Sequence, residues 1–357
     1  MKKIIKSIIP DFLITTWHYL NAWYGSIRYY HPSEEMLIIG VTGTSGKSST
    51  IHFLRQMLEQ IGFTVGSLST ADFYIDGEQK LNDRKMTMLG RGENHRYLRK
   101  MKEEGCEIAI LETTSEGALQ HRHKFINYDF VIFTTLYPEH LEAHGGFENY
   151  KACKLNILRY VSKCKTKFLC KNNDSEDIEV SDKKRVDSNC KKIPKTCFLN
   201  VNNKHSPEAS SIDFDRLCVF GRENEKQYLD QFKNKVNKKF ISTDNNLTST
   251  GVEFQIRGVK CETKILGRFN IQNILAALSL ARQLDQDFDI KKVVENLDPP
   301  PGRLEFIPEA EAKGFKVMVD YAFEPKALRE LYETIGVIEK NNIKLSSSVR
   351  ELIVRGL

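Results

Sequence analysis

The sequence predicts an α/β protein in which a mostly parallel sheet is flanked by helices, and three observations predict it. Short apolar runs at residues 36–41, 64–68, 108–111 and 130–134 have the length and branching of buried parallel strands. Segments of helical character, residues 47–61 and 91–104, lie between them. A glycine-rich turn joins the first run to the first helix, which gives the order strand, loop, helix.

Taken in order, the chain opens with Lys2, Lys3 and Lys6 and continues through an aromatic lead over residues 1–35. Residues 12–27 carry no Asp, Glu, Lys or Arg, but that run falls short of the ~20 residues a spanning helix needs and includes His18 and Asn21. A basic start followed by Trp17, Tyr19, Trp23, Tyr24, Tyr29 and Tyr30 is the mix that settles at a bilayer surface, so peripheral membrane contact through residues 1–30 is one expectation. The other, which amphipathic helices follow more often and which we favour, is a helix that packs its aromatic side on the rest of the protein.

The run at 36–41 then leads through the turn into a helix marked by Ile51, Leu54, Leu58 and Ile61 at helical spacing. From residue 171 to 246 the pattern gives way to Asn, Lys, Asp and Ser, with only 196–201 and 217–220 resembling strands. Residues 252–256 and 260–266 read as a hairpin about Gly258, and 270–284 as an amphipathic helix. The expected organisation is a helical lead at 1–35, a phosphate-loop central domain at 36–311, and the start of a truncated C-terminal α/β domain at 312–357, with one strand at 316–319 and one helix at 325–335.

The chain has 357 residues, enough for two ordinary domains, and its 40% apolar and 28% charged content suits a packed fold over a disordered one. Its net charge of +6 is spread over many lysines, most densely in the Lys/Asn-rich stretch 163–239, and so mild an excess suits anionic small molecules as readily as nucleic acid. No basic stripe interleaves with aromatics, so no nucleic-acid partner is expected. Eight cysteines stand singly, with Cys164 and Cys170 closest, and the expectation is reduced thiols in a cytoplasmic protein.

The strongest chemical signal is Gly43-Thr44-Ser45-Gly46-Lys47-Ser48-Ser49 between a strand and a helix. The N–H groups of such a loop point at phosphate oxygens, Lys47 neutralises β/γ charge, and the Ser48 hydroxyl can ligate Mg²⁺. Val41 occupies the first glycine position of the strict Walker spacing, so the loop is a variant. Glu112 ends a buried strand at the edge where open α/β sheets bind ligands. Asn270 is a good helix N-cap, which leaves Asn273 as the better nucleotide candidate.

These segments, in order, resemble the Mur ligase family, which joins amino acids to the muramoyl peptide of cell-wall precursors. The loop is similar to the family's Thr-Gly-Thr-Asn-Gly-Lys with Ser45 as a departure. Leu111-Glu112-Thr113-Thr114-Ser115 resembles its metal-binding strand end, and the segment Thr135 to Gly145 resembles its Asn-x-x-x-Asp-His-Leu-Asp-x-His-Gly, with Thr135, Glu139 and Glu142 as departures. Tyr150-Lys151-Ala152-Cys153-Lys154 is similar to Tyr-x-x-Ala-Lys, whose lysine is carbamylated in many members. Gly267-Arg268-Phe269-Asn270, Pro301-Gly302-Arg303-Leu304-Glu305 and Asp320-Tyr321-Ala322-Phe323 complete the series, with Phe323 replacing the family's histidine.

The resemblance implies ATP and Mg²⁺ as cofactors, with the metal at Ser48, Glu112, His140 and Lys154. It implies catalytic roles for Lys47, His140 and Lys154, and nucleotide contacts from Gly43 to Ser49, Asn273, Arg303 and Asp320. The implied reaction forms an acyl phosphate from a muramoyl-peptide carboxylate and then an amide with an incoming amino acid. The muramoyl acceptor is expected to be a UDP-linked small molecule or lipid-linked at the inner face of the membrane, because the aromatic lead stands where the family has its sugar-gripping domain. A folylpolyglutamate synthase-like ligase and a non-catalytic ATP-binding fragment or subunit are the competing expectations.

Overall fold

The computed structural model describes residues 10–84, 86–90, 92–139, 141–172, 175–180, 190–311, 313, 315–322 and 325–339. Its strands are β1 Leu37–Thr42, β2 Val65–Leu68, β3 Asp72–Ile75, β4 Glu78–Leu81, β5 Ile108–Glu112, β6 Phe130–Phe133, β7 Lys167–Asn172 and β8 Ser175–Val180. They continue as β9 Cys190–Ile193, β10 Thr196–Asn200, β11 Arg216–Arg222, β12 Lys238–Leu247, β13 Val252–Ile256, β14 Val259–Thr263, β15 Glu305–Phe306 and β16 Met318–Val319. The helices are α1 Asp11–Arg28, α2 Lys47–Gln60, α3 Glu93–Glu103, α4 Ser115–Leu119, α5 Leu141–His144 and α6 Phe147–Ser162, then α7 Ser206–Ala209, α8 Phe269–Leu284, α9 Ile290–Glu295, α10 Pro308–Glu311 and α11 Pro325–Glu339.

One sheet organises the chain, in the order β14-β13-β12-β11-β10-β6-β1-β5-β2-β3-β4. It is parallel from β12 to β2, and the outer hairpins at both edges run antiparallel. The interior strands are apolar on both faces because helices cover both. Ile39, Val41, Ile108, Ile110, Phe130 and Ile132 point into one core with α2 and α8, while Ile38, Ala109, Leu111, Val131 and Phe133 point into the other with α3 and α6. That period of two is the strand repeat, and burial on both faces explains why polar residues are missing from these runs.

The topology also positions the site. β1 pairs with β5 on one side and β6 on the other; the connection out of β1 runs past β5 to β2, while the connection out of β5 crosses back past β1 to β6, so adjacent strands send their connections in opposite directions. Such a reversal opens a crevice beyond the carboxyl ends of the strands, where β1, β2, β5 and β6 deliver their loops.

Several expectations are corrected here. β12 runs ten residues, nearly all within the stretch read as polar and irregular, with outward Lys, Thr and Asn between inward Phe240, Ser242 and, within a bulge between Thr243 and Asn246, Asn245. Asn270 does not cap α8. The helix begins one residue earlier, and Asn270 sits in its first turn with its amide on the Leu266 carbonyl at 2.7 Å. Nor are all thiols reduced, since β7 and β9 place Cys170 directly opposite Cys190 and the two form a disulfide. Finally, α1 turns Trp17, Trp23 and Tyr24 outward, with Trp17 62% and Tyr24 56% exposed, so the expectation that the aromatic side packs on the body holds only for Tyr19, which meets His121 and Phe125 edge-on. No helix among the described residues is long and apolar enough to cross a membrane.

Three buried histidines make the fold acid-sensitive. Burial pushes His52 and His95 down to about 4 and His123 to about 3, with Arg55 adding to the effect at His52 and Lys124 at His123. The unfolded chain takes up protons from about pH 6.5 while the folded chain does not, so the stability present above that pH is lost as pH falls toward 4. We expect the melting temperature to fall between about pH 6.5 and pH 4, and the fall to be shallower in His95→Leu, whose ring nitrogens have no hydrogen-bond partner in the structure. Equal slopes for the two proteins would remove His95 from this account.

Candidate active site

The crevice at the carboxyl edge is a cleft of about 390 Å³, lined by the turn after β1, the ends of β2, β5 and β6, the start of α8 and the segment carrying Arg303, Asp320 and α11. The turn after β1 is shaped by two glycines. Gly43 has φ +149°, and a Cβ there would lie 2.0 Å from the Thr134 hydroxyl, while Gly46 has φ +81° and a Cβ there would lie 2.3 Å from Asn273 Oδ1. No side chain is tolerated at either position without moving the turn. The turn is then tied to the β6 end: Thr44 N–H donates to the Thr135 carbonyl at 2.8 Å, Ser45 N–H to Thr135 Oγ1 at 3.0 Å, and Thr134 Oγ1 to the Ser45 carbonyl at 2.7 Å.

Helix α2 starts at Lys47, so its free N–H groups face the cleft. Lys47 Nζ donates to the Thr44 carbonyl at 2.8 Å and lies 3.9 Å from Glu112. Glu112 is the hub of the site, almost fully buried at the end of β5. One of its oxygens accepts Ser48 Oγ at 2.8 Å and the Thr70 N–H at 2.7 Å, and the other accepts Thr70 Oγ1 at 2.9 Å. A carboxylate and a hydroxyl this close are hard oxygen donors of the kind a Mg²⁺ ion accepts.

Lys154 reaches the same place from α6. It is 2% exposed, and its Nζ donates to the Gly43 carbonyl at 2.7 Å. Burial, reinforced by repulsion from Lys47, pushes its amine down to about 7, so an uncharged form is populated near neutrality. Tyr150, one turn earlier on α6, bonds Thr44 Oγ1 through its hydroxyl at 3.0 Å.

Across the cleft, Asn273 donates to Asn270 Oδ1 at 2.9 Å, and its own Oδ1 rests against Gly46. The Arg303 guanidinium lies 4.8 Å over the Tyr321 ring. Asp320 accepts the N–H groups of Leu304 at 2.9 Å and Ala322 at 2.7 Å, and burial raises its carboxyl while those bonds and Arg303 oppose the rise.

The turn residues, Glu112, Lys154, Asn273, Arg303 and Asp320 therefore all face one cleft. His140, assigned with them from the sequence, lies outside the described residues. Sequence reasoning missed Thr70, which holds both oxygens of Glu112, and Thr87, which bonds Thr70 Oγ1 at 2.8 Å. The available signal for Thr70 was its place two residues after β2, at the same edge as the turn.

A glycine turn on β1 with a lysine and a strand-end carboxylate defines an α/β protein of the phosphate-loop class. The family described as Mur ligase middle domain matches residues 41–281, and the chain belongs to that family. It is 30% identical over 319 residues to UDP-N-acetylmuramyl-tripeptide synthetase of Borreliella afzelii (strain PKo), a match covering 87% of this chain and 54% of that one. Among solved structures it is similar to a UDP-N-acetylmuramoyl-L-alanyl-D-glutamate--2,6-diaminopimelate ligase, with a TM-score of 0.61, 19% identity and coverage of 88% and 57%. It is similar too to Mycobacterium tuberculosis folylpolyglutamate synthase complexed with ADP, with a TM-score of 0.59, 12% identity and coverage of 89% and 69%. The chain spans just over half the length of the curated relatives it matches.

Proposed function

We propose that the chain is the ATP-binding and catalytic body of an ATP-dependent carbon–nitrogen ligase that adds an amino acid to a muramoyl-peptide precursor of peptidoglycan. The observation that carries this reading is the Glu112 hub: a buried carboxylate bonded to Ser48 and Thr70, 3.9 Å from Lys47 and facing the same cleft as Lys154. Residues 36–311 form this body in our reading, and residues from 312 begin the part that closes the cleft from the side of Arg303 and Asp320.

In that reaction a substrate carboxylate attacks the γ-phosphorus of ATP, the bond to the β–γ bridging oxygen breaks and ADP leaves, and an amine then displaces phosphate from the acyl phosphate, losing a proton to leave the amide. The demands are charge neutralisation and alignment. Loop N–H groups and Lys47 hold the phosphates, Asn273 approaches the base, and Arg303 and Asp320 contact the nucleotide from the far wall. Ser48 and Glu112 would hold Mg²⁺, with Lys154 and His140 completing the shell, and the ion would supply further neutralisation of phosphate charge. A protonated Lys154 repels a cation, but its neutral amine can add CO₂ and become a carbamate, which turns the cation into an anionic ligand.

The test is a calorimetric titration with Mg-ATP followed by an assay for amide product with UDP-linked and lipid-linked muramoyl dipeptide and with a folate acceptor. Saturable binding that Lys47→Ala weakens by more than about tenfold is the expected result, because the substitution removes the main counter-charge of the β/γ phosphates. Product with the folate acceptor alone would replace the muramoyl reading, and intact binding in Lys47→Ala would move the nucleotide elsewhere.

A further inference from the structure

We propose that the outer face of α1 docks on an anionic lipid bilayer surface. The helix is held to the body along one narrow side, where Ala22, Gly25 and Ser26 are buried. A Cβ on Gly25 would lie 2.5 Å from the Gly92 Cα, so helix and body meet backbone to backbone. Beyond its C-terminus, Arg99 fixes the Tyr29 carbonyl at 3.0 Å, and Ser26 bonds His31 at 2.8 Å. The helix is therefore firmly seated with a set orientation.

What it presents outward is unlike an ordinary protein surface. Phe12, Leu13, Trp17, Leu20, Trp23, Tyr24 and Ile27 are 45–66% exposed, and at 100° per residue they spread over an arc of roughly 140°. No charged residue interrupts the face between Phe12 and Ile27, and both tryptophans of the chain lie on it. A single exposed Leu is unremarkable, but an apolar strip of this kind, with Thr16 as its one polar side chain inside the arc, marks an interaction surface.

Charge and residue type select the occupant. In the sequence, Lys2, Lys3 and Lys6 precede the strip and exposed Arg28 closes it, against Asp11 alone among acids over residues 1–33. Trp and Tyr along an apolar face with basic residues at its ends is the composition that partitions into the headgroup region of an anionic leaflet. The face covers the side of the helix opposite its seat at Ala22, Gly25 and Ser26, so it can enter the interface lying flat. This proposal is independent of the ligase reading.

The full chain carries its own probe, because Trp17 and Trp23 report on this face and nothing else. Mixed with phosphatidylcholine/phosphatidylglycerol vesicles, it should show a blue-shifted tryptophan emission and co-sediment. Pure phosphatidylcholine should bind it at least tenfold more weakly. Replacing Lys2, Lys3 and Lys6 by Gln should remove most of that preference while leaving the emission without lipid unchanged. In a second variant, Leu20→Ser with Tyr24→Ser, co-sedimentation should be lost and Mg-ATP binding kept. An unshifted emission with all protein in the supernatant would overturn the proposal. So would a dimer in sedimentation velocity that forms without lipid and that the Leu20→Ser/Tyr24→Ser variant dissociates, since a second copy would then be the occupant.

Discussion

Asp129→Ala is expected to lower the stability of the chain by about 3–5 kcal/mol, the usual range when one partner of a buried ion cluster is removed. Asp129 is fully buried below the sheet, at the end away from the cleft. One of its oxygens takes Lys167 Nζ at 2.5 Å and the Ile38 N–H at 2.9 Å, and the other takes Lys195 Nζ at 2.9 Å. The ammonium groups also donate to the carbonyls of Met36 at 2.7 Å and Tyr128 at 2.6 Å. Burial already pulls Lys167 down, and Asp129 is what opposes that pull. Without the carboxylate, two amines remain in a dry floor, and the small β8-β7-β9 sheet loses its tie to β1 and β6. Urea unfolding should show a lower midpoint with little change in slope. A loss below about 1 kcal/mol would mean that the lysines reach water when released.

How much of this was legible follows from how each element is buried. β1, β5 and β6 announce themselves because burial on both faces leaves unbroken apolar runs. β12 and β9 do not, because their outward positions carry Lys, Asn and Thr, and a half-exposed strand of that composition resembles a loop. The Asp129 cluster was invisible for another reason: Lys195 is brought to it by the β10–β6 register and Lys167 by the docking of the separate β8-β7-β9 sheet, and nothing local distinguishes a buried lysine from a solvated one. The same applies to Cys170 and Cys190, whose pairing is set by the β7–β9 register.

The site divides the same way. Contiguous segments carried their own signal, as in the turn from Gly43 to Ser49, where tight conformation demands glycine at Gly43 and Gly46. Thr70 offered only its place just after β2 and Thr87 offered nothing, because a threonine acquires its role only once the fold brings Glu112 to it. Asn270 was misread since Asn is favoured at N-caps, yet here its side chain closes the first turn and orients Asn273. The two readings of the aromatic lead could not be separated in the sequence, because periodicity reports which residues share a helix face, not whether that face turns inward.

Lys154→Met should make the chain more stable near pH 7 while lowering amide formation by about 10²–10³-fold. The loss of turnover is the size expected when one preorganised electrostatic element leaves a site of this kind. The gain in stability comes from the cost of keeping an amine where it is 2% exposed and faces Lys47. Methionine fills a similar volume without a charge, and replacing buried ionic groups by apolar ones of like size commonly stabilises by about 1–4 kcal/mol. The pH dependence fixes the cause. Lys154 has an ordinary value of 10.5 and is held at about 7 in the fold. Between those limits the unfolded chain binds a proton that the native chain does not, so wild-type stability climbs with pH while the variant lacks that climb. In CO₂-free buffer the advantage of the variant should therefore be largest at and below about pH 7 and should vanish toward pH 10. A variant less stable at pH 7 would mean that the 2.7 Å bond to the Gly43 carbonyl outweighs the cost of burial, and full turnover in Lys154→Met would remove the residue from the chemistry.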